Sequence, residues 1–347
     1  MALLTTLVML LAPAAAQAGS EPPHFGFNDD WVKNGDQLEF VQQAGADVTR
    51  AVISWQVVEP EPGQFDFSAY DALVEQFRAV GTRPLWVLAD APCWAQSKDV
   101  AACESRGFEP RPPRRNAYDE WARFAALVAH RYQDTVAIEA WNEANLDNFW
   151  MPRPNPARAA EVTAWANFGV DYSNSINGTE IPTLFGGSAP LYETIPEKRE
   201  IAYDEFLREA YEEIPGGYWD GVAIHPFPRF KARKGYLDDI EEHLDAIRVV
   251  LFDARAIGTP IWVTEVGLST AGPFPYSLED QARGLKRIYR LLKRMPDVPV
   301  VVVHRLIDGP KKLETAESGW GVVQRDLTPK PALCSLATVR GAACVNQ

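Results

Sequence analysis

The chain is short of the residues that metal and redox sites require. Its 347 residues include only 5 histidines and 4 cysteines. There is no His-x-His pair and no Cys-x-x-Cys pair, which argues against a metal-dependent hydrolase or a zinc site. No G-x-G-x-x-G follows the first strand-like run, so no nicotinamide or phosphate cradle is expected, and no cofactor is implied. Basic charge is also scarce: 34 Lys and Arg against 47 Asp and Glu leave a net charge of −13, which argues against nucleic acid as a partner. Beyond the first eighteen residues, no stretch stays apolar for the ~20 residues a spanning helix needs. No internal repeat is visible.

What is present reads as an exported globular protein. Hydrophobic residues make up 46% and charged residues 23%, a balance that can bury a large core. The first eighteen residues, MALLTTLVMLLAPAAAQA, have the apolar run and the A-x-A ending of a signal peptide. Residues 1–18 are therefore expected to be removed, leaving 19–347 as a single domain, secreted or periplasmic, with no membrane attachment. The competing possibility is an uncleaved anchor. The cysteines form two close pairs, so disulfides Cys93–Cys103 and Cys334–Cys344 are expected, the second closing a C-terminal tail. Three connectivities exist in principle, and proximity favours this one.

The chain alternates short apolar runs with amphipathic helical stretches. Strands are expected at 24–27, 48–54, 83–89, 137–141, 183–187, 221–225, 261–264 and 300–306. They are flat rather than alternating, as parallel strands buried on both faces are. The clearest helices are expected at 36–44, 69–80, 117–132, 157–174, 203–213, 237–257 and 278–294, with Ser68 as an N-cap. Eight β/α units without a long linker predict an α/β fold, a (β/α)8 TIM barrel. The longest insertions, 90–116, 188–202 and 226–236, would all lie at the C-terminal face, where such barrels keep their sites.

Two carboxylates end strands. Strand four closes IEAWNEAN, putting Glu143 at its tip, and strand seven closes IWVTEVG, putting Glu265 at its tip. Strand-tip carboxylates point into one mouth, and hydrolysis of a glycosidic bond needs such a pair. Trp141-Asn142-Glu143 with Asn145 and Phe149-Trp150, together with Thr264-Glu265-Val266-Gly267, resembles clan A glycoside hydrolases. Within the clan, the closest resemblance is to glycoside hydrolase family 39 and its bacterial relatives that cut exopolysaccharides. Residues 50–62 with Phe65-Asp66, Ala91-Pro92-Cys93-Trp94-Ala95, Trp219-Asp220 through His225-Pro226, and Thr328-Pro329-Lys330-Pro331-Ala332 are similar to further parts of that pattern. The resemblance runs from about residue 24 to about 335.

The resemblance implies a retaining glycosidase cutting a β-linkage in an extracellular poly- or oligosaccharide. Glu143 would be the acid/base and Glu265 the nucleophile. Asn142 would bond the sugar 2-hydroxyl, and Arg50 would sit beside Glu265 and keep it ionised. Arg50 could equally be a barrel-wall salt bridge. His225 could bond the nucleophile or a sugar hydroxyl, or be structural. Trp55, Trp94 and Trp150 fall just beyond strands and are candidate sugar-stacking walls. The family usually carries an aromatic near the end of strand eight; here His304 stands in that stretch, which leaves the sugar preference open. Two basic clusters, Arg111, Arg114 and Arg115 in one loop and Arg229, Lys231, Arg233 and Lys234 in another, suggest an anionic glycan. The alternatives are solvated loops and, for the whole protein, a non-catalytic carbohydrate-binding barrel.

Overall fold

The computed structural model describes residues 22–28, 37–229, 235–310 and 315–344. The leader at 1–18 and Lys231, Arg233 and Lys234 lie outside the described residues. Eight strands are described: β1 (His24–Asn28), β2 (Val48–Ser54), β3 (Arg83–Ala89), β4 (Ala137–Asn142), β5 (Thr183–Ser188), β6 (Gly221–Ile224), β7 (Ile261–Val266) and β8 (Val300–Val303). Each pairs in parallel with the next, and β8 closes on β1. The helices in chain order are α1 (Leu38–Gln43), α2 (Trp55–Val58), α3 (Ser68–Ala79), α4 (Cys93–Gln96), α5 (Val100–Arg106), α6 (Tyr118–Arg131), α7 (Pro156–Asn177), α8 (Tyr203–Glu213), α9 (Tyr236–Asp253), α10 (Leu278–Leu292) and α11 (Pro331–Arg340). The architecture is the (β/α)8 barrel.

The strands form where runs such as Val300–Val303 can bury every side chain. Parallel strands covered by helices outside and packed against one another inside have no solvent face to alternate with. Inside the barrel, Val48, Leu85, Ala137, Leu184, Ala223, Trp262 and Val300 form an apolar floor separate from the larger layer between strands and helices. Two residues further along their strands, Arg50 and Glu139 share the inward face of Val48 and Ala137, since side chains alternate with a period of two. The barrel therefore has an apolar plug below and charges above.

Two strands break this alternation: β5 shifts register against β6 between Phe185 and Ser188, and β7 does so against β8. Against β8, Val263 pairs with Val301 but Val266 pairs with Val303, so β7 carries one extra residue. Strict alternation from Trp262 would turn Thr264 inward and Glu265 outward. The bulge reverses the parity and brings Glu265 to the mouth.

Several boundaries differ from the sequence reading. Strand β8 ends at Val303, not at residue 306, because Leu306 O instead accepts from Val322 N and Val323 N in the following loop. Ser68 is the first helical residue of α3, not its cap; the Asp66 carboxylate accepts from Ser68 N at 2.9 Å. Asn155 caps α7 with Pro156 behind it, and Gly178 ends that helix in a left-handed turn at φ 68°.

The tail packs as α11 against α10 and α1. Arg340 ties it to the barrel's underside, donating to Tyr289 Oη at 2.7 Å and to the carbonyls of Pro23 and Gly45 at 3.2 Å. Both expected disulfides are present, with Cα separations of 5.6 Å for Cys93–Cys103 and 5.2 Å for Cys334–Cys344. Among the described residues, no helix is long and apolar enough to cross a membrane.

Two outcomes test this packing. Replacing Cys93 and Cys103 by serine removes a short closed loop and should cost about 3 kcal/mol in guanidinium unfolding; an unchanged midpoint would show the bridge to be idle. His243 is fully buried and stacked on Tyr203 at 3.6 Å, and burial pulls its pKa down to about 3. Its folded pKa lies below the unfolded value of ~6.5, so this stability is present above that value and is lost as pH falls toward 3. His243→Phe should therefore flatten the acid limb of the stability profile.

Candidate active site

The barrel mouth holds a cleft of about 1170 Å³. The loops after β3, β5 and β6 contribute Phe108, Pro190 and Phe227 to its walls, and Asn142, Glu143, Glu265 and His304 lie in its base. The three long insertions thus do surround the mouth.

Glu143 is aimed by its backbone. Trp141 at φ 75° and Glu143 at φ 43° both adopt left-handed conformations, which non-glycine residues avoid unless the surroundings hold them. Glu143 N donates to Gly187 O at 2.7 Å, fastening the turn to the end of β5. Asn145, fully buried, bonds Ala189 and Ile201 and locks the loops after β4 and β5 together.

Glu265 sits in a tight shell of donors. Its Oε1 accepts from Arg50 Nη1 and Asn28 Nδ2, both at 2.7 Å. Its Oε2 lies 3.3 Å from His304 Nδ1 and 3.9 Å from His225 Nδ1. Burial works to raise this carboxyl's pKa, but the His225 and His304 rings and the Arg50 guanidinium outweigh it. The group is held well below the usual carboxylate range.

Arg50 is buried and spans the site. Its Nε and Nη2 grip Glu139 at 2.9 Å each, Nη2 also reaches Asn142 Oδ1 at 2.8 Å, and Nη1 adds Asn28 Oδ1 at 3.0 Å. It is both the barrel-wall ion pair and the partner of Glu265, the two roles that the sequence left as alternatives. His225 is fully buried and contacts Glu143 Oε1 at 2.8 Å. It lies behind the acid, not in the cleft, so it does not face a sugar hydroxyl. Its ring packs onto Gly187, where a Cβ would approach Nε2 to 2.2 Å; any side chain there would push the ring off Glu143.

The aromatic candidates need correction. Trp55 and Trp150 are 0% and 1% exposed and belong to the layer between strands and helices. Trp94 is half-buried, turned inward by its Nε1 bond to Glu59 O and packed on Trp55. None lines the cleft. The ring-bearing walls are Trp141, Phe149, Phe108, Phe227 and Trp320. His304 does lie in the cleft, backed edge-on by Phe227 at 5.7 Å and Trp320 at 6.0 Å. Aromatic surface missing from strand eight is thus supplied by the loops after β6 and β8.

Sequence reasoning missed Asn28, Glu139, Glu317 and Trp320. Asn28 ends β1 as Glu143 and Glu265 end their strands, a signal that was available. Glu139 lies two residues before Trp141 inside an apolar run, where a charge has to be paired. Glu317 and Trp320 come from a loop with no strand to mark it.

Of the two basic clusters, the described members Arg111, Arg114, Arg115 and Arg229 do not line the cleft. Arg111 pairs with Glu109 at 2.8 Å, Arg115 with Glu161 at 2.7 Å, and Arg229 with Asp239 at 2.8 Å and Glu242 at 2.7 Å. Arg114 donates to Trp94 O at 2.8 Å. Local acids and carbonyls already satisfy them.

Glu143, His225 and Glu265 offer three donor atoms within 4.8 Å of one another. The Arg50 charge against Glu265 opposes a bound cation there, so the set suits proton transfer better than metal ligation.

Residues 28–148 match the family model for glycoside hydrolase 42, described as beta-galactosidase. That stretch carries Asn28, Arg50, Asn142 and Glu143. A curated beta-galactosidase from Arthrobacter sp is 27% identical over 123 residues, covering 32% of this chain and 18% of that protein. A family 39 glycoside hydrolase structure from Bacteroides cellulosilyticus WH2 superposes with a TM-score of 0.67 at 19% identity, covering 92% of this chain and 64% of that one. Xylanase 10B from Thermotoga maritima superposes with a TM-score of 0.61 at 13% identity, covering 92% and 95%. The chain has the clan A glycoside hydrolase fold. On this clan A barrel both carboxylates stand at strand tips, as the sequence pattern implied. The chain spans about a fifth of the length of the curated relative it matches.

Arg50 neutralises charge for two buried carboxylates. Arg50→Met should cost about 3–5 kcal/mol near neutral pH, because both acids lose their cation. The wild-type contribution from Glu265 is present above the unfolded carboxyl pKa and is lost as pH falls, since its folded pKa is depressed. The difference between variant and wild type should therefore shrink in acid. A loss below about 1 kcal/mol in denaturant unfolding would contradict the burial argument.

Proposed function

We propose that this chain is a retaining β-glycosidase acting on an extracellular poly- or oligosaccharide. The observation that carries this is the facing pair Glu143 and Glu265, with one carboxylate oxygen of each within 4.8 Å of the other and Glu265 held ionised. Retaining enzymes keep their carboxyls about 5–5.5 Å apart, whereas inverting ones leave roughly 6.5–9.5 Å for a water. The fold and the beta-galactosidase match over 28–148 support the same reading.

In the first step, Glu265 Oε2 bonds the anomeric carbon as the bond to the leaving oxygen breaks. The Glu143 proton passes to that oxygen. Oε1 is held at 2.7 Å by both Arg50 and Asn28, whereas Oε2 has only the longer approaches of His304 and His225, so Oε2 is the oxygen that attacks. In the second step the Glu143 carboxylate takes a proton from water, the water oxygen bonds the anomeric carbon, and Glu265 leaves as carboxylate. With Glu143 ionised, His225 Nδ1–H donates to its Oε1, leaving Oε2 to exchange the proton. Asn142, whose Oδ1 accepts from Arg50 Nη2, would meet the sugar 2-hydroxyl.

The cleft volume exceeds the ~300–1,000 Å³ of ordinary small-molecule pockets, which favours an oligosaccharide over a single sugar. Its described charged lining is acidic on balance, Asp90, Glu143, Glu265 and Glu317 against Arg50 and His304, so a neutral glycan suits it better than an anionic one. Two disulfides support an oxidising, exported setting, with 1–18 as the signal peptide.

Incubation with 2-deoxy-2-fluoro glycosyl fluorides (gluco, galacto, xylo, manno) should label Glu265, seen by intact and peptide mass. Glu143→Ala should lower turnover of an unactivated substrate by about 10²–10⁴-fold, with azide restoring activity on an activated aryl glycoside. Full affinity for glycan without labelling or turnover would instead favour a non-catalytic binding barrel.

A further inference from the structure

Glu139 has no place in the double-displacement scheme, yet its carboxylate is fully buried beneath the reacting pair. Its oxygens are all engaged: Oε1 accepts from Arg50 Nη2 at 2.9 Å and Gly187 N at 2.7 Å, and Oε2 accepts from Arg50 Nε at 2.9 Å. It thus grips one edge of the guanidinium, Nε and Nη2, and leaves Nη1 for Glu265. Lysine could not substitute in such a fork, whose planar donors match a carboxylate two at a time.

We propose that Glu139 is a positioning residue that shares the Arg50 charge with Glu265, so that the nucleophile is oriented by a cation already partly neutralised. The inference rests on Glu265 being the nucleophile. One guanidinium carries one positive charge, and here it lies between two buried carboxylates. In a low-dielectric interior, the far carboxylate cancels much of the attraction that the near one feels. Glu265 therefore keeps two short bonds to its Oε1 while facing a pair whose net charge is close to zero. A fully cationic partner would hold the carboxylate harder. It would then attack the anomeric carbon more slowly and depart from it more readily. Glu139 also fixes the Arg50 edge that carries Asn142, the residue next to Glu143, so the two halves of the site are held by one plane of donors.

The chemistry separates charge sharing from simple support. Forming the glycosyl-enzyme uses Glu265 as nucleophile; its hydrolysis uses Glu265 as leaving group. Removing the Glu139 charge must move these steps in opposite directions, whereas a merely misplaced Glu265 slows both. With the 2-deoxy-2-fluoro glycosyl fluoride that labels the wild type, Glu139→Gln should be inactivated several-fold more slowly and, once freed of reagent, should lose its label several-fold faster. Glu139→Asp, which keeps the charge but draws it away from Arg50, should show the same signs at smaller size, and it serves if the glutamine variant does not fold. Parallel slowing of both steps, or no change in either, would overturn the proposal.

A second measurement needs no substrate. In a denaturant-unfolding cycle, Glu139→Gln and Glu265→Gln each leave Arg50 one carboxylate, while the double variant leaves it none. The double variant should lose more stability than the two singles summed. Additive losses would overturn the sharing of Arg50. If no fluoroglycoside labels the wild type, the glycosidase reading fails and this cycle alone decides Glu139.

Discussion

The guanidinium of Arg50 is the interaction on which the rest of the site depends. It lies buried inside a barrel whose lower half is packed with aliphatic side chains and tryptophan, so its charge has to be met there by protein. Bonds to Glu139, Asn28, Asn142 and Glu265 meet it. Those residues come from β1, β4 and β7, so closing the barrel and assembling the site are one event. An open sheet of the same strands, without the β1–β8 pairing, would leave β1 and β7 far apart, and the cation would have no complete shell.

Around that core, the two carboxylates differ by environment. Glu265 is surrounded by Arg50, Asn28 and two imidazoles, which favour its charged form. Glu143 faces the cleft with a single histidine behind it. Two acids of the same kind thereby meet different environments, the condition under which carboxylate pairs elsewhere divide acid and nucleophile roles. Backbone strain at Trp141 and Glu143 is held by the Gly187 bond and the Asn145 tie between loops. Loops form the cleft walls, and strands position the reacting groups.

The fold was legible because its signals are local. Flat apolar runs such as Val300–Val303 can only be buried strands, and the helices between them carry breakers at their ends. Glu143 and Glu265 were legible because each follows such a run directly. The aromatic residues that line the cleft were not. Trp55, Trp94 and Trp150 follow strands in the chain, yet Trp55 turns back into the helix layer, Trp94 is drawn in by Glu59, and Trp150 packs on Trp141. Position after a strand says that a residue is near the mouth, not which way it faces. The partners of the described basic side chains were hidden for a related reason: Arg111, Arg115 and Arg229 pair with acids that the fold brings beside them.

By itself the sequence determined the barrel, the two disulfide pairs and the identity of the two strand-tip acids, because each follows from spacing along the chain. Tertiary structure alone decided that Arg50 serves Glu139 and Glu265 together, that His225 stands behind Glu143, and that Trp320 and Phe227 back His304. It also decided that Glu265 faces inward at all. That depends on one extra residue in β7 against β8, and a bulge is a relation between two strands.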